Sequence, residues 1–166
     1  MIRYCEIEDI KEVASIITED WKIAYKGIID DNFLASLNAS DREKRMKEQF
    51  KERSAFVFED EEGVKGYCRF GDNDEEKETG EIYALYIKWN ERGKGIGSKL
   101  VEIVKEMFKE KGYQKMVIWC LEENKKGRIF YEKMGGKLQR KVNKMIGDKE
   151  YLEVCYQYEL NKEERK

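Results

Sequence analysis

Residues 81–112 read EIYALYIKWNERGKGIGSKLVEIVKEMFKEKG, and three segments follow one another in them. Ile82 to Ile87 is an apolar, aromatic run with the make-up of a buried strand. Lys88 to Glu91 is a polar turn. Arg92-Gly93-Lys94-Gly95-Ile96-Gly97 comes next, and Ile96, Leu100, Val104, Met107 and Phe108 then recur at helical spacing. Gly112 is a stop signal. The stretch therefore reads strand, glycine-rich turn, helix.

That order suits an anion. The first turn of a helix leaves backbone N–H groups without internal partners, and the helix dipole adds partial positive charge there. Glycine removes the side chain that would hold a ligand off the backbone. Arg92 and Lys94 bring full positive charge to the same turn. Glycines alone would equally make a tight turn. A strand before them, a helix after them and two cations among them point to a phosphate.

The spacing narrows the kind of phosphate. A Walker A loop needs Gly-Lys-Ser/Thr after its four-residue gap, whereas Gly97 is followed by Ser98 and Lys99. A dinucleotide fingerprint would fit Gly93 and Gly95 but meets Ser98 where its third glycine belongs. Arg-x-x-Gly-x-Gly fits without a gap, as Arg92, Gly95 and Gly97. This resembles the pyrophosphate-binding signature of the GNAT superfamily of acetyl-CoA-dependent N-acetyltransferases, and the preceding Leu85-Tyr86-Ile87 is similar to the strand those proteins place there. A second motif points the same way. Asn124, the pair Phe130-Tyr131, Lys133 and Gly135 match a pattern common in that family, while Gly136 stands where Phe is usual.

Composition sets bounds. A chain of 166 residues suits one domain, and 40% hydrophobic residues with 12% aromatics can fill a core. The net charge of −2 gives no general pull toward nucleic acid or anionic membrane. No run approaches the roughly 18 apolar residues of a membrane span, and the opening MIRYCEIEDIKEV is too acidic and interrupted for a signal peptide. A cytoplasmic location is expected. Cys5, Cys68, Cys120 and Cys155 form no CxxC pair and there is no histidine. Free buried thiols and no metal site are expected. Without histidine, a base must be a carboxylate, a tyrosine, a lysine or water.

The remaining elements follow from periodicity. Ile2 to Ile7 reads as a strand. Asp9 and Glu12 make a capping-box-like start to a helix whose face is Ile10, Val13, Ala14, Ile17, Trp21 and Ala24, ending near Gly27. Phe33, Leu34 and Leu37 suggest a short helix, and Ser40 to Glu43 opens a third that runs to about Phe50. Ala55 to Glu59 and Val64 to Phe70 form a hairpin, and Lys115 to Leu121 is a strand. Asn124 opens a helix with Ile129, Phe130 and Met134 facing in. Lys137 to Met145 and Tyr151 to Leu160 close the chain as an antiparallel pair. The order predicts a single-domain α/β chain with a mixed, mostly antiparallel central sheet flanked by helices, which is also the order of elements in the GNAT fold. Residues 1–160 form the expected domain and 161–166 a charged tail.

What the resemblance implies is an acyltransferase that moves acetyl from acetyl-CoA, as cosubstrate, to an amine of a small molecule or peptide in a ternary complex. Arg92, Gly93, Lys94, Gly95, Ile96, Gly97 and Ser98 would hold the CoA pyrophosphate. Leu85, Tyr86 and Ile87 would bind pantetheine through backbone, and Asn124 would hydrogen-bond the same arm or simply cap its helix. Glu81 would be the catalytic base and Tyr131 the acid that protonates the leaving thiolate. Trp21, Tyr25, Phe33 and Tyr83 are the aromatic candidates for the acceptor site. The acids Asp72, Asp74, Glu75 and Glu76 would attract a cationic amine or merely form a solvated loop. A homodimer is compatible with this reading.

Two other readings stay open at this point. One is a CoA- or acyl-CoA-binding sensor of the same fold without turnover. The other is a nucleic-acid binder using Lys133, Lys137, Arg140, Lys141 and Lys144, a cluster that lacks interleaved aromatics.

Overall fold

The computed structural model describes residues 1–160, so the charged tail expected at 161–166 lies outside the described residues. The elements are β1 (Ile2–Tyr4), α1 (Ile10–Ala24), α2 (Asp31–Ser36), α3 (Ala39–Glu48), β2 (Ala55–Asp60), β3 (Gly63–Asp72), β4 (Thr79–Ile87), α4 (Ile96–Glu110), β5 (Lys115–Leu121), α5 (Lys125–Lys133), β6 (Lys137–Ile146) and β7 (Lys149–Glu159). The strand order is β1-β2-β3-β4-β5-β7-β6. β4 and β5 are parallel, whereas β1–β2, β2–β3, β5–β7 and β6–β7 are antiparallel. This is the mixed, mostly antiparallel α/β arrangement expected from the order of elements. No helix among the described residues is long and apolar enough to cross a membrane.

Local chemistry explains most element ends. Asp30 caps α2 by accepting from the Phe33 N–H, and Asn38 caps α3 by accepting from the Asp41 N–H. Gly112, at φ +83°, closes the turn after α4 in a conformation that L side chains rarely adopt. One expected cap is misplaced by the sequence pattern. Asp9 does not cap α1; its carboxylate accepts from the Glu6 N–H at 2.8 Å and is gripped by both terminal nitrogens of Arg3. Glu12 accepts from the Val64 N–H on β3 at 2.9 Å. A guanidinium fork outcompeted the helix start for that carboxylate.

Contacts gather into two compact units. One comprises Met1–Arg69 with Ala84–Val101, and the other Phe70–Tyr83 with Glu102 onward. In the first, Ile10, Val13, Ile16 and Ile17 of α1 pack with Val57, Val64 and Tyr67 of β2 and β3. Trp21, Met46, Phe50, Ala84 and Tyr86 lie against that cluster. Burying each such aliphatic chain is worth roughly 1.5–3 kcal/mol. A Cβ on Gly66 of β3 would sit 2.8 Å from Ile96 Cγ2 and 3.1 Å from Leu100 Cδ1, so the start of α4 can pack there only over a glycine.

In the second unit Phe108 plays the same part against Gly80. The Phe108 ring meets Phe70 edge-on at 6.2 Å and stacks on Tyr113 at 5.1 Å. Tyr156 is fully buried, and its hydroxyl donates to Glu132 Oε2 at 2.6 Å while accepting from Arg128 Nε at 2.9 Å. On α5, Phe130 and Met134 are partly buried but Ile129 is 54% exposed. Ile129 was expected to face in; the inward positions of this short helix go to its neighbours and to Arg128, which reaches Tyr156.

Candidate active site

The glycine turn has the expected form. A short 3-10 turn, Trp89–Glu91, leads into Arg92, and α4 begins at Ile96. Gly93 and Gly95 have φ of +81° and +84°, with nothing within 4 Å of where a Cβ would stand. The first helical bond of α4 runs from the Lys99 N–H to the Gly95 carbonyl at 3.1 Å. The N–H groups of Ile96, Gly97 and Ser98 therefore precede the hydrogen-bonded ladder and have no intrahelical acceptor. Open space above two left-handed glycines and a row of unpaired donors fits an anion.

Both cations of the turn are already paired. Arg92 bonds Asp20 of α1 and its guanidinium lies 4.4 Å over the Trp89 ring. Lys94 reaches Glu91 at 3.1 Å. Asp20 is buried, at 5% exposed. Burial pushes its carboxyl above the ordinary range, and Arg92 pulls it back only in part. The sequence reading missed Asp20. Its signal was a charge three residues after Ile17 on the apolar face of α1.

β4 supplies the backbone next to this turn. Its ladder with β5 covers Thr79–Ile82, so Ala84, Leu85, Tyr86 and Ile87 run on beyond their last β5 partner. The Tyr86 side chain also has work: its hydroxyl accepts from Trp21 Nε1 at 2.9 Å, and burial pushes the phenol up. Trp21 meets Tyr25 edge-on at 4.9 Å and Phe33 at 6.4 Å. Three acceptor-site candidates, Trp21, Tyr25 and Phe33, are thus one aromatic cluster. The fourth, Tyr83, belongs elsewhere: its hydroxyl bonds the Asp72 carbonyl and its ring lies on Gly71.

Glu81 is half-buried and accepts from Asn73 Nδ2 at 3.0 Å. Burial pushes its carboxyl up; Asn73 lowers it, and Asp74, Glu153 and Glu75 raise it further. Asn73 is held in turn, because its Oδ1 accepts from the Glu75 and Glu76 N–H groups at 2.9 Å each. The acidic loop is therefore a scaffold for Asn73. Glu75 pairs with Arg140 and Glu76 with Lys115.

Tyr131 is partly buried on α5, its ring 5.4 Å from Phe130 and 6.2 Å from Tyr156. Its carbonyl accepts from the Tyr158 hydroxyl at 2.8 Å and from the Gly136 N–H at 3.0 Å, which anchors the backbone behind the side chain. Asn124 caps α5, its Oδ1 accepting from the Gly127 N–H at 3.1 Å.

The model of the acetyltransferase (GNAT) family matches residues 15–136, which run from α1 through the glycine turn to the end of the Asn124–Gly136 motif. The chain belongs to this family. It is 33% identical over 134 residues to YuaI, an uncharacterized N-acetyltransferase of Bacillus subtilis, covering 79% of this chain and 76% of that protein. An N-acetyltransferase from Staphylococcus aureus shares the fold at a TM-score of 0.71, with 22% identity over 96% of this chain and 98% of that one. PaiA N-acetyltransferase from Thermoplasma acidophilum, solved in complex with coenzyme A, does so at 0.71 and 21%, over 95% and 98%. The GNAT chain described here is thus an acyltransferase of the N-acetyltransferase kind.

Other readings of the GNAT chain lose ground on its own contacts. Of the basic cluster, Arg140 pairs with Glu75, Lys141 with Glu122 and Lys144 with Glu153, so its charge is largely neutralised in place. All four cysteines are buried and free. Burial pushes the Cys5 and Cys120 thiols up to about 12, Cys155 to about 11 and Cys68 up as well. None is a thiolate nucleophile near neutral pH.

Proposed function

We propose that this protein transfers an acetyl group from acetyl-CoA to a primary amine of a small molecule or peptide, by direct attack within a ternary complex. The observation that carries the reading is the turn from Arg92 to Ser98, with open space over Gly93 and Gly95 and unpaired N–H groups opening α4. A pyrophosphate accepts from those donors. The paired Arg92 and Lys94 frame the turn and offer their remaining N–H groups at its rim. Leu85, Tyr86 and Ile87 continue β4 past its last β5 partner, and their backbone is what an extended pantetheine arm would add to. Asn124 keeps its amide N–H₂ for the same arm while its oxygen caps α5.

An alkylamine has a pKa of about 10 and arrives protonated at neutral pH. Glu81 is the group suited to take that proton, because burial has already made it more basic than an ordinary carboxylate. Backbone N–H groups of β4 polarise the thioester carbonyl as negative charge develops on it. Tyr131 donates its phenolic proton to the departing thiolate. The amine nitrogen forms the new C–N bond as the C–S bond breaks. The second nitrogen proton, which the amide does not keep, replaces the one Tyr131 gave to sulfur. The products are an N-acetyl amide, the CoA thiol and the proton that Glu81 hands on to water. The Trp21, Tyr25 and Phe33 cluster receives the body of the acceptor, and Tyr83 stiffens β4 beside Glu81 through its bond to Asp72. The reaction needs no nucleic acid, membrane or metal, and the cytoplasm supplies acetyl-CoA.

The test is thiol release from acetyl-CoA against polyamines, aminoglycosides, amino acids and peptide N-termini, beside calorimetry of CoA with wild type and Gly97→Val. Amine-dependent release together with lost CoA affinity in the folded variant is expected. CoA binding without release for any amine would mean a sensor. Unchanged affinity in Gly97→Val removes the turn from the site.

A further inference from the structure

Arg42 of α3 is a guanidinium short of negative charge. It is partly buried. Its Nε donates to Thr18 Oγ1 at 3.2 Å, and its guanidinium lies 5.9 Å from the centroid of the Trp21 ring. Among the described residues no carboxylate pairs with it, although the chain carries 35 acids. The groups around it do not supply a counter-ion. Burial disfavours its charged form, the Tyr86 phenol offsets that only in part, and Arg45 opposes it further. Asp20, which acts on the neighbouring Tyr86, is held by Arg92. A cation kept half out of water without a counter-ion costs free energy, which a folded protein tolerates where a ligand supplies the missing charge.

A second donor faces the same cluster. The Tyr86 hydroxyl spends its lone pair on Trp21 Nε1 and keeps its own proton to give. Arg42 and Arg69 both act on that phenol to favour its charged form. A carboxylate suits this pair of groups: it accepts a forked bond from a guanidinium and a third bond from a phenol. Trp21, Tyr25 and Phe33 next to it suit an apolar body.

We propose that Arg42 and the Tyr86 hydroxyl receive the carboxylate of the acceptor, so that the acceptor is a zwitterionic amine of the amino-acid kind with an apolar side chain, and not a polyamine. This rests on the reading that the aromatic cluster receives the acceptor. Thr18 then acts as a positioning residue that holds the guanidinium fork open toward the ligand.

Matched pairs separate carboxylate recognition from bulk. Calorimetry would compare L-leucine, L-methionine and L-phenylalanine with their amides on wild type, Arg42→Gln and Arg42→Lys. In wild type at least one acid should bind about tenfold or more tightly than its amide, since losing a charged hydrogen bond leaves the site's donors unpaired. Arg42→Gln should erase the preference and Arg42→Lys restore part of it. If Arg42→Gln does not fold by circular dichroism, Tyr86→Phe must shrink the preference instead. Acids that bind no better than amides in every pair, or a folded Gln variant that keeps the preference, overturn the proposal. Thiol release in the same mixtures distinguishes the two readings. Arg42-dependent carboxylate binding with no release sinks acetyl transfer and keeps the subsite. Release from amides and polyamines alike sinks the subsite and keeps acetyl transfer.

Discussion

Asp20 and Glu81 are two carboxylates shifted in the same direction by the same cause, burial, yet they keep different company. Asp20 is nearly sealed and held by a guanidinium. Glu81 is half-open and held by a neutral amide, with other acids close enough to raise it further. The difference separates an acid committed to a cation from one left open to take a proton, which is the role proposed for Glu81. A carboxylate beside a full positive charge spends its lone pairs on that charge. One beside an amide keeps lone pairs and gains basicity from its acidic neighbours.

The strongest way to break the comparison is to remove the basicity of Glu81 alone. Glu81→Gln keeps size and the hydrogen bond to Asn73. We expect turnover at neutral pH to fall by about 100- to 10,000-fold and to recover in part as pH rises toward the pKa of the amine. A pH–rate profile that is merely scaled would reduce Glu81 to a positioning role, equal in kind to Asp20.

Tyr131→Phe sharpens the same contrast from the other side of the proton transfer. Removing only a hydroxyl should cost about 100-fold in turnover, with CoA affinity nearly unchanged by calorimetry and no rescue at high pH. Wild-type turnover would make Tyr131 a packing residue of α5.

Asp20→Asn should act on stability. It leaves Arg92 without its anion; because Arg92 is partly exposed, water recovers some of the loss, and a cost of about 1–2 kcal/mol is expected. For a chain of this size that lowers Tm by roughly 2–4 °C per kcal/mol. A loss of turnover with high-pH rescue in Asp20→Asn, and none in Glu81→Gln, would exchange the two roles.

The smallest effect is the pH dependence of stability. The folded pKa of Glu81 is raised, so its favourable contribution is complete below the unfolded value and is lost as pH rises through the folded one. At neutral pH the wild type carries a penalty that Glu81→Gln lacks. The variant should therefore melt higher than wild type at neutral pH, and the gain should vanish as pH falls below about 4. A gain independent of pH would mean that ionisation of Glu81 is not disfavoured in the fold.

The architecture was largely legible because it rests on short-range pattern. Glycines at 93, 95 and 112, the alternation and apolar runs of the strands, and the helical spacing from Ile96 to Phe108 each act over a few residues. The boundaries of β5 and the opening of α5 by Asn124 follow from that same local chemistry. Glu81 was singled out through the GNAT resemblance, and the sequence did not foretell that Asn73 holds it or that burial raises its carboxyl. The partners of the charges were not legible. Asp9 could have capped α1, but Asp9 and Glu59 gather around the Arg3 guanidinium, Glu59 across 56 residues of sequence. Asp20 meets Arg92 across 72 residues, and Trp21 meets Tyr86 across 65. A sequence pattern states which side chains are charged and which face of a helix is apolar. Which cation a given acid meets, and that Arg42 meets no acid among the described residues, depends on the register of α1 and α3 over β2–β4. Many residues' packing sets that register at once, and no local spacing encodes it.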